Sequence, residues 1–177
     1  MPIRKITTLA LFTTLSLIIF TVESAIPPLI PVPGIKLGLA NIITLVVLVA
    51  FSHKDALLVL LLRILLSTVL FGQTMSLLYS LVGGICCFIV MVLLNHLLRS
   101  HWLMITSAFG AISHNLGQLW VAYLITKVPG VVVYLPFLLL SGIITGLFTG
   151  LCAHFTLQKL LPLAIRLPFY QKPDDDN

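Results

Sequence analysis

Long runs without a single charge organise this chain. Lys, Arg, Asp and Glu are all absent from 64–98, from 100–126 and from 128–158. Each run exceeds the ~20 apolar residues that carry a helix across a bilayer. Pro, Gly and charged clusters divide the apolar sequence into six segments, at 6–22, 35–51, 56–71, 74–94, 102–126 and 131–157. The pattern predicts an all-α polytopic membrane protein of six transmembrane helices, with one domain over 1–160 and a cytoplasmic tail over 161–177. The second and third segments are short for a crossing, so they are expected to lie inside the bundle or to extend into adjoining loops. The first is too long for the 7–15-residue apolar region of a secretory signal, and Glu23 spoils a small-residue cleavage site.

One stretch breaks the pattern. "IPPLIPVPGIKLGLANIITL", Ile26 to Leu45, sets four prolines, a lysine and an asparagine among apolar residues. Each proline fixes its backbone φ and withdraws a donor. The stretch Ile26–Gly34 therefore reads as a stiff gating loop carrying Pro31 and Pro33, with Gly34 giving the turn into the second helix. Lys36 would then sit at the mouth of a cavity, with Asn41 on its wall. The plainer alternative is a structural loop with a lysine anchored at the interface, as is common at helix ends.

Composition strengthens the membrane reading. Hydrophobic residues make up 59% and charged residues 8% of the chain, against roughly 45–50% and about 25% in soluble domains. The mean hydropathy is +1.16. Six crossings put both termini on one side. Arg4, Lys5, Lys54, Arg99, Lys159, Arg166 and Lys172 then lie on that side, Lys36 and Lys127 on the other, and Arg63 within a span. The bias places both termini in the cytoplasm by the positive-inside rule, in an inner (cytoplasmic) membrane. The basic balance is thus a topology signal and does not point to nucleic acid. Cys86, Cys87 and Cys152 lie in apolar runs without metal-binding or redox spacing and read as small hydrophobes. The terminal "DDD" has no second acidic motif to face, so it reads as a solvated end rather than a metal site.

Candidate chemistry comes from polar residues inside the spans, which are costly there and hence functional hypotheses by default. Arg63 lies mid-way along the third segment, too deep to reach the interface easily. His114 and Asn115 stand four and three residues before Gln118, so the fifth segment carries a polar face. Ser107, Gly110, Ala111 and Gly117 beside it allow close approach. Trp120 is a candidate for stacking on a ligand ring. Lys36, Asn41, Arg63, His114, Asn115, Gln118 and Trp120 are therefore expected to line an electropositive, substrate-binding cavity, with interhelical hydrogen bonding as the bland alternative. No catalytic triad, paired carboxylates, phosphate loop or zinc spacing is present, so no enzyme activity, cofactor or metal is expected.

"PGIKLGLANIITL", "RILLSTVLFG" and "SAFGAISHNLGQL" resemble the Gx transporter family, whose members are often labelled heptaprenyl diphosphate synthase component I. The resemblance covers nearly all of residues 1–160. That family is in turn similar to the substrate-binding S components of energy-coupling-factor (ECF) vitamin transporters. The resemblance implies a six-helix S-component-like bundle with cytoplasmic termini and an outward cavity capped by loops. It also implies a membrane coupling subunit and an ATPase as partners. S components dock through an AxxxA-type motif in the first helix. Here the nearest match is Ala10 with Thr14, which departs from the alanine pattern. Three functions follow as expectations: capture of a small anionic cofactor-like solute, accessory service to a polyprenyl diphosphate synthase, or scaffolding in a redox assembly.

Overall fold

A computed structural model describes residues 3–25, 36–72, 74–98 and 102–164, and all statements of absence below concern these residues. Pro31, Pro33 and Gly34 of the expected gating loop lie outside them, as does the acidic end. The described chain is all-α. Helices α1 (Ile3–Ala25), α2 (Asn41–Ala50), α3 (His53–Phe71), α4 (Thr74–Leu98) and α5 (Leu103–Thr126) are followed by a 3₁₀ segment, Pro129–Tyr134, and by α6 (Leu135–Ala164).

Local chemistry sets several ends. Ser52 caps α3 by accepting from the Asp55 N–H at 3.3 Å, satisfying one of the orphan donors of a helix start. Gly72 closes α3 in the left-handed region at φ 64°, where glycine carries no Cβ penalty. Lys127 ends α5 in the same conformation.

The main departure from the expected spans is α2. It begins at Asn41 instead of 35 and has only 10 residues. Residues 36–38 are non-helical, Leu39 and Ala40 form a turn, and Gly38 sits at φ +80°. The entry turn is thus made by Gly38, and Lys36 precedes the helix rather than belonging to it. The proposed boundary at 160 also falls inside α6, which continues through Pro162 to Ala164.

Two apolar cores hold the bundle. The larger joins Leu9 and Phe12 of α1, Ile43 to Phe51, Val59 of α3, Met91 of α4 and Leu157 of α6. The smaller joins Tyr79, Leu119, Ala122, Val131 and Leu138. Both the start of α1 and the end of α6 therefore pack into one end of the bundle. Lys5 and Asp55 form an ion pair of 2.9 Å there, tying the starts of α1 and α3. α5 and α6 touch backbone to backbone. A Cβ on Gly146 would meet the Ala108 Cα at 2.5 Å, and one on Gly150 the Met104 Cα at 2.7 Å.

Ile3–Ala25, Met75–Leu98 and Pro129–Pro162 are each long and apolar enough to cross a membrane. α2 falls short by length, α3 by His53, Lys54, Asp55 and Arg63, and α5 by its polar face. Large apolar side chains such as Leu11, Val69, Phe109, Phe137 and Phe148 point outwards. An outer surface of this kind suits lipid and would be an aggregation site in water.

Candidate functional site

The non-helical segment before α2 lies against the polar residues of three helices. Backbone N–H groups in an apolar medium must find acceptors, and here side chains supply them. Glu23, near the end of α1, accepts from the Gly38 N–H at 2.6 Å. Gln118 Oε1 accepts from the Lys36 N–H at 3.2 Å. Ser16 donates to the Ala40 carbonyl at 3.2 Å. An irregular segment among apolar helices is thus made tolerable by groups contributed from α1 and α5.

From Gln118 a chain of contacts runs inwards. Gln118 Nε2 lies 3.0 Å from His114 Nε2. His114 Nδ1 lies 3.3 Å from Asn41 Nδ2. Asn41 Oδ1 accepts from Arg63 Nη2 at 3.3 Å. Gln118, Asn41, His114 and Arg63 are all buried, Gln118 to 0% exposure. Two close approaches make room for the imidazole. A Cβ on Gly38 would stand 2.8 Å from His114 Cδ2, and one on Gly83 of α4 would stand 2.9 Å from His114 Nδ1.

Two cations share this region with one carboxylate. Lys36 Nζ donates to Ser24 Oγ at 2.7 Å and stands 3.7 Å from the centre of the Phe20 ring. Arg63 Cζ is 5.7 Å from the same ring. Contacts of cations with an aromatic face contribute on the order of 0.5–2 kcal/mol. Glu23 is engaged by backbone N–H, and among the described residues no ion pair within 4.0 Å links it to either cation. Arg63 Nε has no partner, an arrangement that ordinarily costs about 1–3 kcal/mol or more for a charged group.

The structure therefore brings Lys36, Asn41, Arg63, His114 and Gln118 into one connected cluster. Asn115 turns aside: its Nδ2 donates to the Leu138 carbonyl of α6 at 2.8 Å, while its Oδ1 is unpartnered. Trp120 does not join the cluster. It is 60% exposed and pairs with Tyr123 at 6.3 Å between ring centroids, because two residues along a helix rotate it about 200° away from Gln118. Ala10 and Thr14 lie on the exposed face of α1, with the Thr14 hydroxyl donating back to the Ala10 carbonyl at 3.0 Å. Glu23, Phe20 and Gly38 are additional members. An acid within an otherwise apolar helix was the signal for Glu23; nothing in the residue pattern marked Phe20.

Beside the cluster, Leu37, Tyr134, Phe137, Leu140, Ser141, Ile144 and Thr145 line an apolar groove of about 500 Å³. Ser141 connects it to the polar interior, since Asn115 Nδ2 lies 3.4 Å from its hydroxyl. The described residues hold two acids, Glu23 and Asp55, and no group of three or more His, Cys, Asp or Glu placed to hold a metal.

Comparison with known families returns one match over most of the chain. The family described as heptaprenyl diphosphate synthase component I matches residues 12–156. The chain belongs to this family. The matched region of this component I member runs from α1 into α6 and contains the whole polar cluster. No curated protein and no solved structure matches the chain significantly.

Proposed function

We propose that this component I protein is a non-catalytic membrane subunit that binds an anionic ligand at the Lys36–Arg63 cluster. The observation that carries this reading is the charge balance: two cations face one carboxylate already held by a backbone N–H. Buried charge without a counterpart is expensive, and a bound anion would supply the counterpart. The family's name supports a ligand bearing a diphosphate, and a soluble synthase subunit as partner. The apolar groove beside the cluster has the character an isoprenoid chain requires. In this reading both termini are cytoplasmic, and the six-helix bundle sits in an inner membrane with α2 reaching only part of the way across.

A binding titration tests it. The purified chain in lipid nanodiscs is titrated with farnesyl diphosphate and with inorganic diphosphate. Replacing Arg63 or Asn41 with Ala should weaken binding roughly 10- to 100-fold, as expected for a lost hydrogen bond to a charged group. Saturable binding that both variants leave unchanged would remove the cluster from consideration.

A second reading, capture of a small cofactor-like solute for an ECF-like transporter, is favoured by one observation. The cluster is sealed by the backbone of 36–40, which holds Gln118 at 0% exposure, so a ligand would have to displace a cap as it does in capture proteins. Co-purification separates the readings. A soluble prenyl synthase that gains activity from the chain supports the first, and a membrane coupling subunit with an ATPase supports the second.

A further inference from the structure

The polar cluster contains more donors than it can satisfy. Four links join five groups in the order Arg63, Asn41, His114, Gln118 and the Lys36 backbone. Both ends are fixed donors, because a guanidinium and a backbone N–H have no acceptor to offer. Each of the three groups between them brings one donor and one acceptor to its two links, if the imidazole is neutral. Four links thus receive five donors and three acceptors, and one link must set a donor against a donor. Turning either amide or changing the tautomer moves the fault without removing it. With the imidazole proton on Nδ1, the fault falls on the Asn41–His114 link. Asn41 Nδ2 then has no acceptor.

Two further observations place the fault. The links on either side of Asn41 are the longest, 3.3 Å each. The unpartnered Nε belongs to the guanidinium that bonds the same Asn41.

We propose that the ligand enters the chain at Asn41, between Arg63 and His114, through a proton-free oxyanion such as a phosphate or carboxylate. This rests on the anion-binding reading above and adds the chemistry of its head group. One such oxygen accepts from both sides of the link it opens, which raises the acceptor positions to five and balances the five donors. A second oxygen of the same group meets Arg63 Nε. A hydroxyl or a protonated acid would bring another donor and restore the mismatch. His114 is in this account a specificity-determining residue, since it relays the surplus from the Gln118 side to the entry point.

Substitution by an isosteric acceptor tests the count without any ligand. In Gln118→Glu the carboxylate accepts from both Lys36 N–H and His114, and in Asn41→Asp it accepts from both Arg63 and His114. Either change balances the chain. Although burying a carboxylate ordinarily destabilises, both variants should unfold roughly 5 °C higher than the parent in the ligand-free state. Gln118→Ala, which removes one donor together with one acceptor, should not. Both variants should also lose at least 10-fold in affinity for inorganic diphosphate, farnesyl diphosphate or succinate, whichever the parent binds. Unfolding at or below the parent's temperature in both acidic variants, including failure to fold, overturns the donor surplus. If the parent binds none of the three probes, the anion-binding reading and the oxyanion entry both fall, while the unfolding temperatures still decide the donor count.

Discussion

Gly38 carries two constraints that can be separated by mutation. Its φ of +80° disfavours any Cβ, at roughly 1–2 kcal/mol, and its Cβ direction is blocked by His114 at 2.8 Å. Gly72 has a similar φ of 64° but nothing within 4 Å of a Cβ. Gly38→Ala should therefore destabilise by about 2–4 kcal/mol and Gly72→Ala by about 1 kcal/mol, the difference being overpacking. Thermal unfolding in one detergent measures both, and equal losses would mean that the imidazole moves aside freely. Asn41, Arg63, His114 and Gln118 were legible in the sequence because each is a polar group in an apolar run at a similar depth. Trp120 is close to Gln118 along the chain, but helical phase turns it outwards, away from the cluster. Gly38 was harder to see, since "KLGLAN" continues the apolar pattern and only the backbone reveals the turn.

At the scale of elements, the α5–α6 pair depends on absent side chains more than on hydrophobic burial. Lipid tails are as apolar as leucine, so helices associate in a membrane through close packing and hydrogen bonds. Gly146 brings α6 within reach of the Ala108 Cα, and Ser107 bonds Thr149 across the same contact at 2.8 Å. Gly146→Ala should cost about 1–3 kcal/mol by forcing the helices apart. Ile144→Ala, on the exposed face of α6, should cost under about 0.5 kcal/mol, as surface changes usually do. Unfolding of the two variants side by side checks this, and a greater loss for Ile144→Ala would contradict it. The glycine spacing 142, 146, 150 was visible in the residues; the start of α2 was not. Periodicity cannot distinguish a helical turn from an apolar irregular one when neighbouring side chains satisfy its backbone.

The whole molecule has a directional frame set by contacts at its ends. The Lys5–Asp55 pair joins the starts of α1 and α3, and Leu157 of α6 packs into the same core as Leu9 and Phe12. The start of the first helix and the end of the last thus share one end of the bundle, in keeping with an even number of crossings. The proposed cytoplasmic placement of that end rests on its excess of Lys and Arg under the positive-inside rule. A fluorescent protein fused after Asn177 should therefore fluoresce, and an alkaline phosphatase fused at the same place should be inactive. The opposite pair of results would invert the proposed topology. Charge counting pointed to this arrangement, while the closure of the cluster by 36–40 depended on contacts between residues 82 positions apart.

The brevity of α2 bears on how the protein is made. Ten helical residues extend about 15 Å, half the hydrocarbon thickness of a bilayer. Nearly every side chain of this helix is enclosed by protein, and the non-helical segment before it relies on Glu23 and Gln118 to accept its N–H groups. The insertion machinery would gain little by releasing such a segment into lipid on its own. The helices it packs against most, α3 and α6, are synthesised later, so its side chains would be enclosed only after they arrive. Maturation of this bundle is therefore expected to follow insertion, with a half-length helix drawn inwards as the polar cluster forms around it.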